Sequence, residues 1–212
     1  MEKAIFLDRD GVVNEMVYYP EHGILDSPFV AAQFRLLPNV PEAIKKFRDA
    51  GFKVIIVSNQ PGIAKGYLSE ATFEEIRYKM HTALEAEGAG LDGEFYCLHH
   101  PRARVARLKV ECDCRKPGPG LLLQAAEAMD IDLGSSWMVG DGLTDIEAGK
   151  RAGCRTVLIG KMKCELCHLM DETGARPDFV VADLLEAARI VGGGDTGRLP
   201  AGAGEKSKPG KK

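Results

Sequence analysis

The sequence predicts an α/β fold, a Rossmann-like doubly wound parallel sheet with helices on both faces. Short apolar runs at residues 4–7, 53–57, 137–139, 156–159 and 179–181 alternate with longer segments of helical character. The runs are nearly continuous in apolar side chains, as strands covered on both faces are. Polar groups stand directly after three of them: Asp8 and Asp10, then Ser58, Asn59 and Gln60, then Asp141 and Asp145. Open parallel sheets bind their ligands just outside the carboxyl ends of their strands.

The elements follow in order. Residues 4–7 form the first strand. Residues 38–50 read as a helix stopped by Gly51, with strand 53–57 following at once. Residues 69–87 are helical, with Thr72 and Glu75 spaced as a capping box and Gly88 as the stop. Strand 94–98 carries Phe95, Tyr96 and Cys97. Residues 121–129 are helical, 137–139 a strand, and 143–152 a helix stopped by Gly153. Short strands at 156–159 and 179–181 precede a last helix, opened by Asp183 and running to Val191. No internal repeat is visible. From Gly192 to Lys212, glycine, proline, lysine and small polar residues leave almost nothing to bury. The expectation is one domain, residues 1–191, and a disordered tail, residues 192–212.

With 212 residues, 45% hydrophobic, 28% charged and a formal net charge of −3, the chain has the composition of a soluble globular protein. It shows no signal-peptide pattern and no apolar run long enough to cross a bilayer. The near-neutral balance gives no support for a nucleic-acid or membrane partner. A cytoplasmic protein is the expectation.

Asp8 and Asp10 carry the chemistry. In an extended segment residues i and i+2 point to one side, so the two carboxylates can converge. Carboxylates aimed at one point repel unless a cation or a shared proton lies between them. The arrangement suits a carboxylate nucleophile beside a carboxyl acid/base, with a hard divalent cation between nucleophile and anionic substrate. A basic pair, Arg115-Lys116, precedes the helix at 121–129. The strand ends and this helix start would gather Asp8, Asp10, Ser58, Lys116, Asp141 and Asp145 around one crevice.

A separate cluster is thiol-based. Cys97-Leu98-His99-His100 follows one strand, and Cys112-Asp113-Cys114 comes a loop later. Three thiols and one imidazole, from His99 or His100, make a closed tetrahedral set for structural zinc. The intervening residues 101–107 offer little to a core, so a metal would be their main anchor.

The order Asp-x-Asp-Gly, strand to serine, lysine before a helix, then Gly-Asp-x-x-x-Asp resembles the haloacid dehalogenase superfamily of phosphohydrolases, over roughly residues 4–191. The resemblance implies that Asp8 attacks phosphorus and becomes an aspartyl phosphate. It implies that Asp10 protonates the leaving oxygen and later activates water. Ser58 and Lys116 would hold the phosphoryl oxygens. Asp141 would complete a magnesium (Mg2+) site with Asp8 and the Asp10 backbone carbonyl, supported from behind by Asp145. No large cap domain is visible around Ser58.

The Cys-x-His…Cys-x-Cys-Arg-Lys-Pro loop is similar to the zinc-containing branch of that superfamily, which acts on heptose 1,7-bisphosphate or on histidinol phosphate. Its spacing implies a structural zinc (Zn2+) on Cys97, His99, Cys112 and Cys114. The long stretch between His99 and Cys112 resembles the heptose members. The resemblance then implies a monomer that removes the 7-phosphate of D-glycero-D-manno-heptose 1,7-bisphosphate, giving heptose 1-phosphate for nucleotide-activated heptose and cell-surface polysaccharide. Asn59, Gln60 and Arg115 would contact the substrate. Gly142 stands where heptose enzymes often carry a basic residue, and residues 14–37 are longer than expected. Histidinol-phosphate phosphatase is the alternative. A zinc-stabilised binding module is more distant, since it would not need Asp8, Asp10, Lys116 and Asp141 together. A nucleic-acid 3'-phosphatase would call for a basic stripe or aromatic platform that is not evident. Cys164 and Cys167 form a second pair without a partnering pair.

Overall fold

The computed structural model describes residues 1–160, 174 and 177–193. Most of the expected tail, and Cys164 and Cys167, lie outside the described residues. In chain order the elements are β1 (Ala4–Leu7), β2 (Val17–Tyr19), β3 (Ile24–Asp26), α1 (Val40–Asp49), β4 (Lys53–Asn59), α2 (Gly62–Lys65), α3 (Glu70–Ala86), β5 (Gly93–Cys97), α4 (Gly120–Met129), β6 (Trp137–Gly140), α5 (Leu143–Ala152), β7 (Arg155–Ile159), β8 (Phe179–Val181) and α6 (Leu184–Val191).

Six strands form one sheet in the order β5-β4-β1-β6-β7-β8. Each neighbouring pair runs parallel. Alternate side chains supply two cores, as the period of two requires. Ile5, Leu7, Val54, Ile56 and Val139 pack with Ile44 and Phe47 of α1, Met80 and Leu84 of α3, and Leu184 of α6. Ala4, Phe6, Ile55, Val57 and Met138 pack with Leu121, Leu122 and Ala125 of α4 and Ala148 of α5. Helices cover both faces, which is the doubly wound arrangement expected. Among the described residues no inserted domain covers the sheet's carboxyl edge. No helix of the described residues is long and apolar enough to cross a membrane.

Local sequence explains the elements. In α1, Val40, Ala43, Ile44 and Phe47 recur at i, i+3, i+4 and i+7 and all are buried. Gly51, at φ +79°, takes the chain out of that helix and into β4. The start of α3 differs from expectation. Ser69 is its cap, its Oγ accepting from the Thr72 amide at 3.0 Å, so Thr72 lies inside the first turn. Asp183 caps α6 as expected, accepting from the Glu186 amide at 2.9 Å. The β2–β3 hairpin has no counterpart in the sequence reading. Its strands have three residues each, too short for a periodicity to mark them, and only Tyr19 is buried.

Candidate active site

The crevice forms where β1, β4 and β6 end. Asp8 follows β1 directly, and its amide donates to the Val139 carbonyl of β6 at 3.0 Å. Asp8 Oδ1 accepts from the Arg9 amide at 2.7 Å and pairs with Lys116 Nζ at 3.0 Å. Lys116 Nζ also pairs with Asp145 Oδ1 at 2.6 Å and donates to the Val57 carbonyl at 2.9 Å. The Lys116 side chain is 1% exposed. Burial alone would pull its pKa down, but Asp145 and Asp8 hold it above the usual lysine range.

Asp8, Asp141 and Asp145 each bring a carboxylate oxygen within 4.8 Å of the others. Asp141 keeps an exposed edge, yet loss of solvent, followed by the charges of Asp8 and Asp145, pushes it up to about 7. Burial lifts Asp145 against the pull of Lys116. Three crowded carboxylates facing one cationic nitrogen form a donor set suited to a hard divalent cation. Glycines make the approach possible. A Cβ on Gly11, which also sits at φ +80°, would lie 2.1 Å from Asp141 Oδ2. A Cβ on Gly140 would lie 2.2 Å from that of Asp145.

Asp10 faces a different set of partners. Its carboxylate accepts from Asn14 Nδ2 at 2.9 Å, from Gln60 Nε2 at 2.6 Å and from the Arg9 guanidinium at 3.0 Å. Gln60 Nε2 also donates to Ser58 Oγ at 3.1 Å. Ser58 and Gln60 are buried.

The thiol cluster lies where β5 ends. Cys114 Sγ is 3.2 Å from Cys97 Sγ, 3.1 Å from Cys112 Sγ and 3.3 Å from His99 Nδ1. All four ligand atoms lie within 4.8 Å of one another. His100 turns elsewhere, its Nδ1 accepting from the Arg102 amide at 3.1 Å. Burial and the neighbouring thiols push Cys114 far up. A soft N/S donor set packed this closely fits a tetrahedral zinc ion.

Comparison with known proteins decides the family. The model of the HAD-hydrolase-like family matches residues 113–187. The D-glycero-beta-D-manno-heptose-1,7-bisphosphate 7-phosphatase of Pasteurella multocida (strain Pm70) is 36% identical over 194 residues, 91% of this chain and 98% of the relative. That of Escherichia coli (strain K12) is 39% identical over 156 residues, covering 74% and 78%. This chain is a haloacid dehalogenase-like phosphatase. Among solved structures, the D,D-heptose 1,7-bisphosphate phosphatase of B. bronchiseptica, complexed with magnesium and phosphate, matches with TM-score 0.72 at 33% identity, over 89% of this chain and 97% of that one.

In this phosphatase the residues expected around the substrate are placed unevenly. Asn59 uses both ends of its amide on the Lys116 backbone, accepting from its N–H and donating to its carbonyl, each at 3.0 Å. It therefore docks the Lys116 segment against β4. Arg115 Nη1 reaches the His99 carbonyl at 3.4 Å and so ties the thiol loop to the crevice. Two members of the Asp10 network were not singled out from the sequence. Asn14 and Arg9 are 0% and 1% exposed. An asparagine directly after the apolar pair Val12-Val13, four residues past Asp10, was a usable signal. For Arg9 there was none, since strand alternation points it away from its neighbours.

Proposed function

We propose that the chain is a magnesium-dependent phosphomonoesterase that removes the 7-phosphate of D-glycero-D-manno-heptose 1,7-bisphosphate through an aspartyl phosphate on Asp8. The observation that carries the chemistry is the buried Lys116 ammonium, 3.0 Å from Asp8 and 2.6 Å from Asp145, beside the Asp141 carboxylate. The names of the relatives support the substrate.

An Asp8 oxygen attacks phosphorus, and the bond from phosphorus to the sugar oxygen breaks. Asp10 gives its proton to that oxygen, and heptose 1-phosphate leaves. Asp10, now a carboxylate, takes a proton from water as the water oxygen attacks the phosphoryl group. The bond from Asp8 to phosphorus then breaks, and phosphate departs. Lys116, 3.0 Å from Asp8, would with Ser58 offset charge on the phosphoryl oxygens. Asp8, Asp141 and the Asp10 backbone carbonyl would hold Mg2+, which when bound neutralises the nucleophile and phosphoryl group for their approach. Cys97, His99, Cys112 and Cys114 would hold Zn2+, which would fix the loop carrying Arg115 towards the distal part of the substrate. Asn59 and Gln60 would shape the same pocket.

The test is phosphate release with magnesium from both anomers of heptose 1,7-bisphosphate and from histidinol phosphate, at equal concentration. Preference for the beta heptose anomer, the form named for the E. coli relative, is expected. Faster release from histidinol phosphate would overturn the substrate and leave the phosphatase chemistry intact.

A further inference from the structure

Arg9 is a buried cation whose one ionic partner among the described residues is Asp10. Its Nε donates to Asp10 Oδ1 at 3.3 Å, and its Nη2 lies 3.0 Å from both Oδ1 and Oδ2. Nη2 also donates to Gln60 Oε1 at 2.9 Å, while Gln60 Nε2 returns to Asp10 Oδ2 at 2.6 Å. Asn14 Nδ2 holds Oδ1 from another side at 2.9 Å. Both oxygens of Asp10 are therefore gripped, and two of the three gripping side chains also brace each other. The guanidinium carbon stands 5.8 Å from the centre of the Phe73 ring.

Stability does not account for this arrangement. Desolvating a guanidinium is costly, and a buried ion pair seldom repays that cost against an apolar side chain of similar volume. Arg9 Nη1 is moreover buried with no hydrogen-bond partner, which adds to the cost. What the arrangement does supply is direction. A proton donor must place its oxygen within hydrogen-bond reach of the atom it serves, and the anion it leaves behind must be stabilised.

We propose that Arg9 is the positioning residue of Asp10. Its fork, braced by Gln60, fixes the carboxylate plane and stabilises the anion that Asp10 becomes on giving its proton to the leaving oxygen. This rests on the reading of Asp10 as the acid, and the Asp10→Asn reference tells a failure of that reading from a failure of the Arg9 role. Because Arg9 acts only through proton transfer, its removal should matter in proportion to how much the leaving group needs a proton.

The experiment is single-turnover formation of phosphoenzyme, with magnesium, from heptose 1,7-bisphosphate and from p-nitrophenyl phosphate. The sugar leaves as a basic alkoxide unless protonated, whereas nitrophenolate departs without a proton. Arg9→Met should slow the sugar substrate about 100-fold and leave the aryl substrate within about threefold. Arg9→Lys keeps the charge but cannot span both oxygens, so its selective loss should be about tenfold. Asp10→Asn is the reference and should show the same selectivity. If Asp10→Asn is selective but both Arg9 variants slow the two substrates equally, or neither, Arg9 is structural and the proposal is overturned. If Asp10→Asn is not selective, the acid assignment fails and the Arg9 proposal falls with it.

Discussion

Lys116 shows how few atoms set the character of the crevice. Its ammonium touches Asp8, Asp145 and the Val57 carbonyl and almost no water. Removing it strands Asp145, whose side chain is 2% exposed, as an uncompensated buried charge. Lys116→Ala should therefore cost about 3–5 kcal/mol of stability in addition to activity, read from denaturant unfolding. A loss confined to turnover would contradict the buried pairing.

Asp141 gives a pH dependence of definite sign. The folded protein holds its proton up to about 7, whereas the unfolded chain releases it near 3.8. The folded state thus binds more protons across that window, so stability is fully present below the lower value and is lost as pH rises through the higher one. In magnesium-free buffer the unfolding midpoint should fall between those values. Magnesium should raise it more above the window than below, because a cation binds the deprotonated carboxylates. A midpoint that rises with pH across the window in magnesium-free buffer would contradict the crowding of Asp8, Asp141 and Asp145.

At the scale of elements, the parts that bury themselves by a regular period were legible. β1, β6, α5, β8 and α6 follow directly from apolar runs and their stops, and α1 from its i, i+3, i+4, i+7 face. The α3 cap is ambiguous in the sequence because Ser69 and Thr72 offer the same hydroxyl chemistry, and only the backbone angle selects Ser69, in the extended region at ψ 165°. The β2–β3 hairpin was illegible because three-residue strands are too short to show a burial pattern. The thiol loop was legible because ligand spacing, rather than periodicity, specifies it. Its main apolar anchor is Leu108, which packs against Ile63, Ala64 and Phe73. Cys112→Ala should accordingly lose zinc, measured as metal content per chain, and raise KM more than it lowers kcat. Wild-type protein without stoichiometric zinc would contradict this account of the loop.

At the scale of the molecule, the sheet order β5-β4-β1-β6-β7-β8 places β1 between β4 and β6. Asp8, Ser58 and Asp141, far apart in sequence, therefore come to one edge. The sequence announced this edge through polar residues placed after apolar runs. It could not announce how side chains share it. Arg9 was hidden because a long side chain can fold back against the alternation of its backbone, and Asn59 because its amide is spent on the Lys116 backbone. The Asn59 contact depends on register between β4 and the segment before α4, and the Arg9 contacts on Gln60 just beyond β4, which no local pattern encodes.

The most direct test of the central claim is turnover of heptose 1,7-bisphosphate by Asp8→Asn with magnesium present. The variant removes one of three crowded carboxylates, so in magnesium-free buffer it should unfold at or above the wild-type midpoint, while phosphate release with magnesium falls by at least about 1,000-fold. A folded Asp8→Asn protein that still releases phosphate at the wild-type rate would show that Asp8 is not the nucleophile.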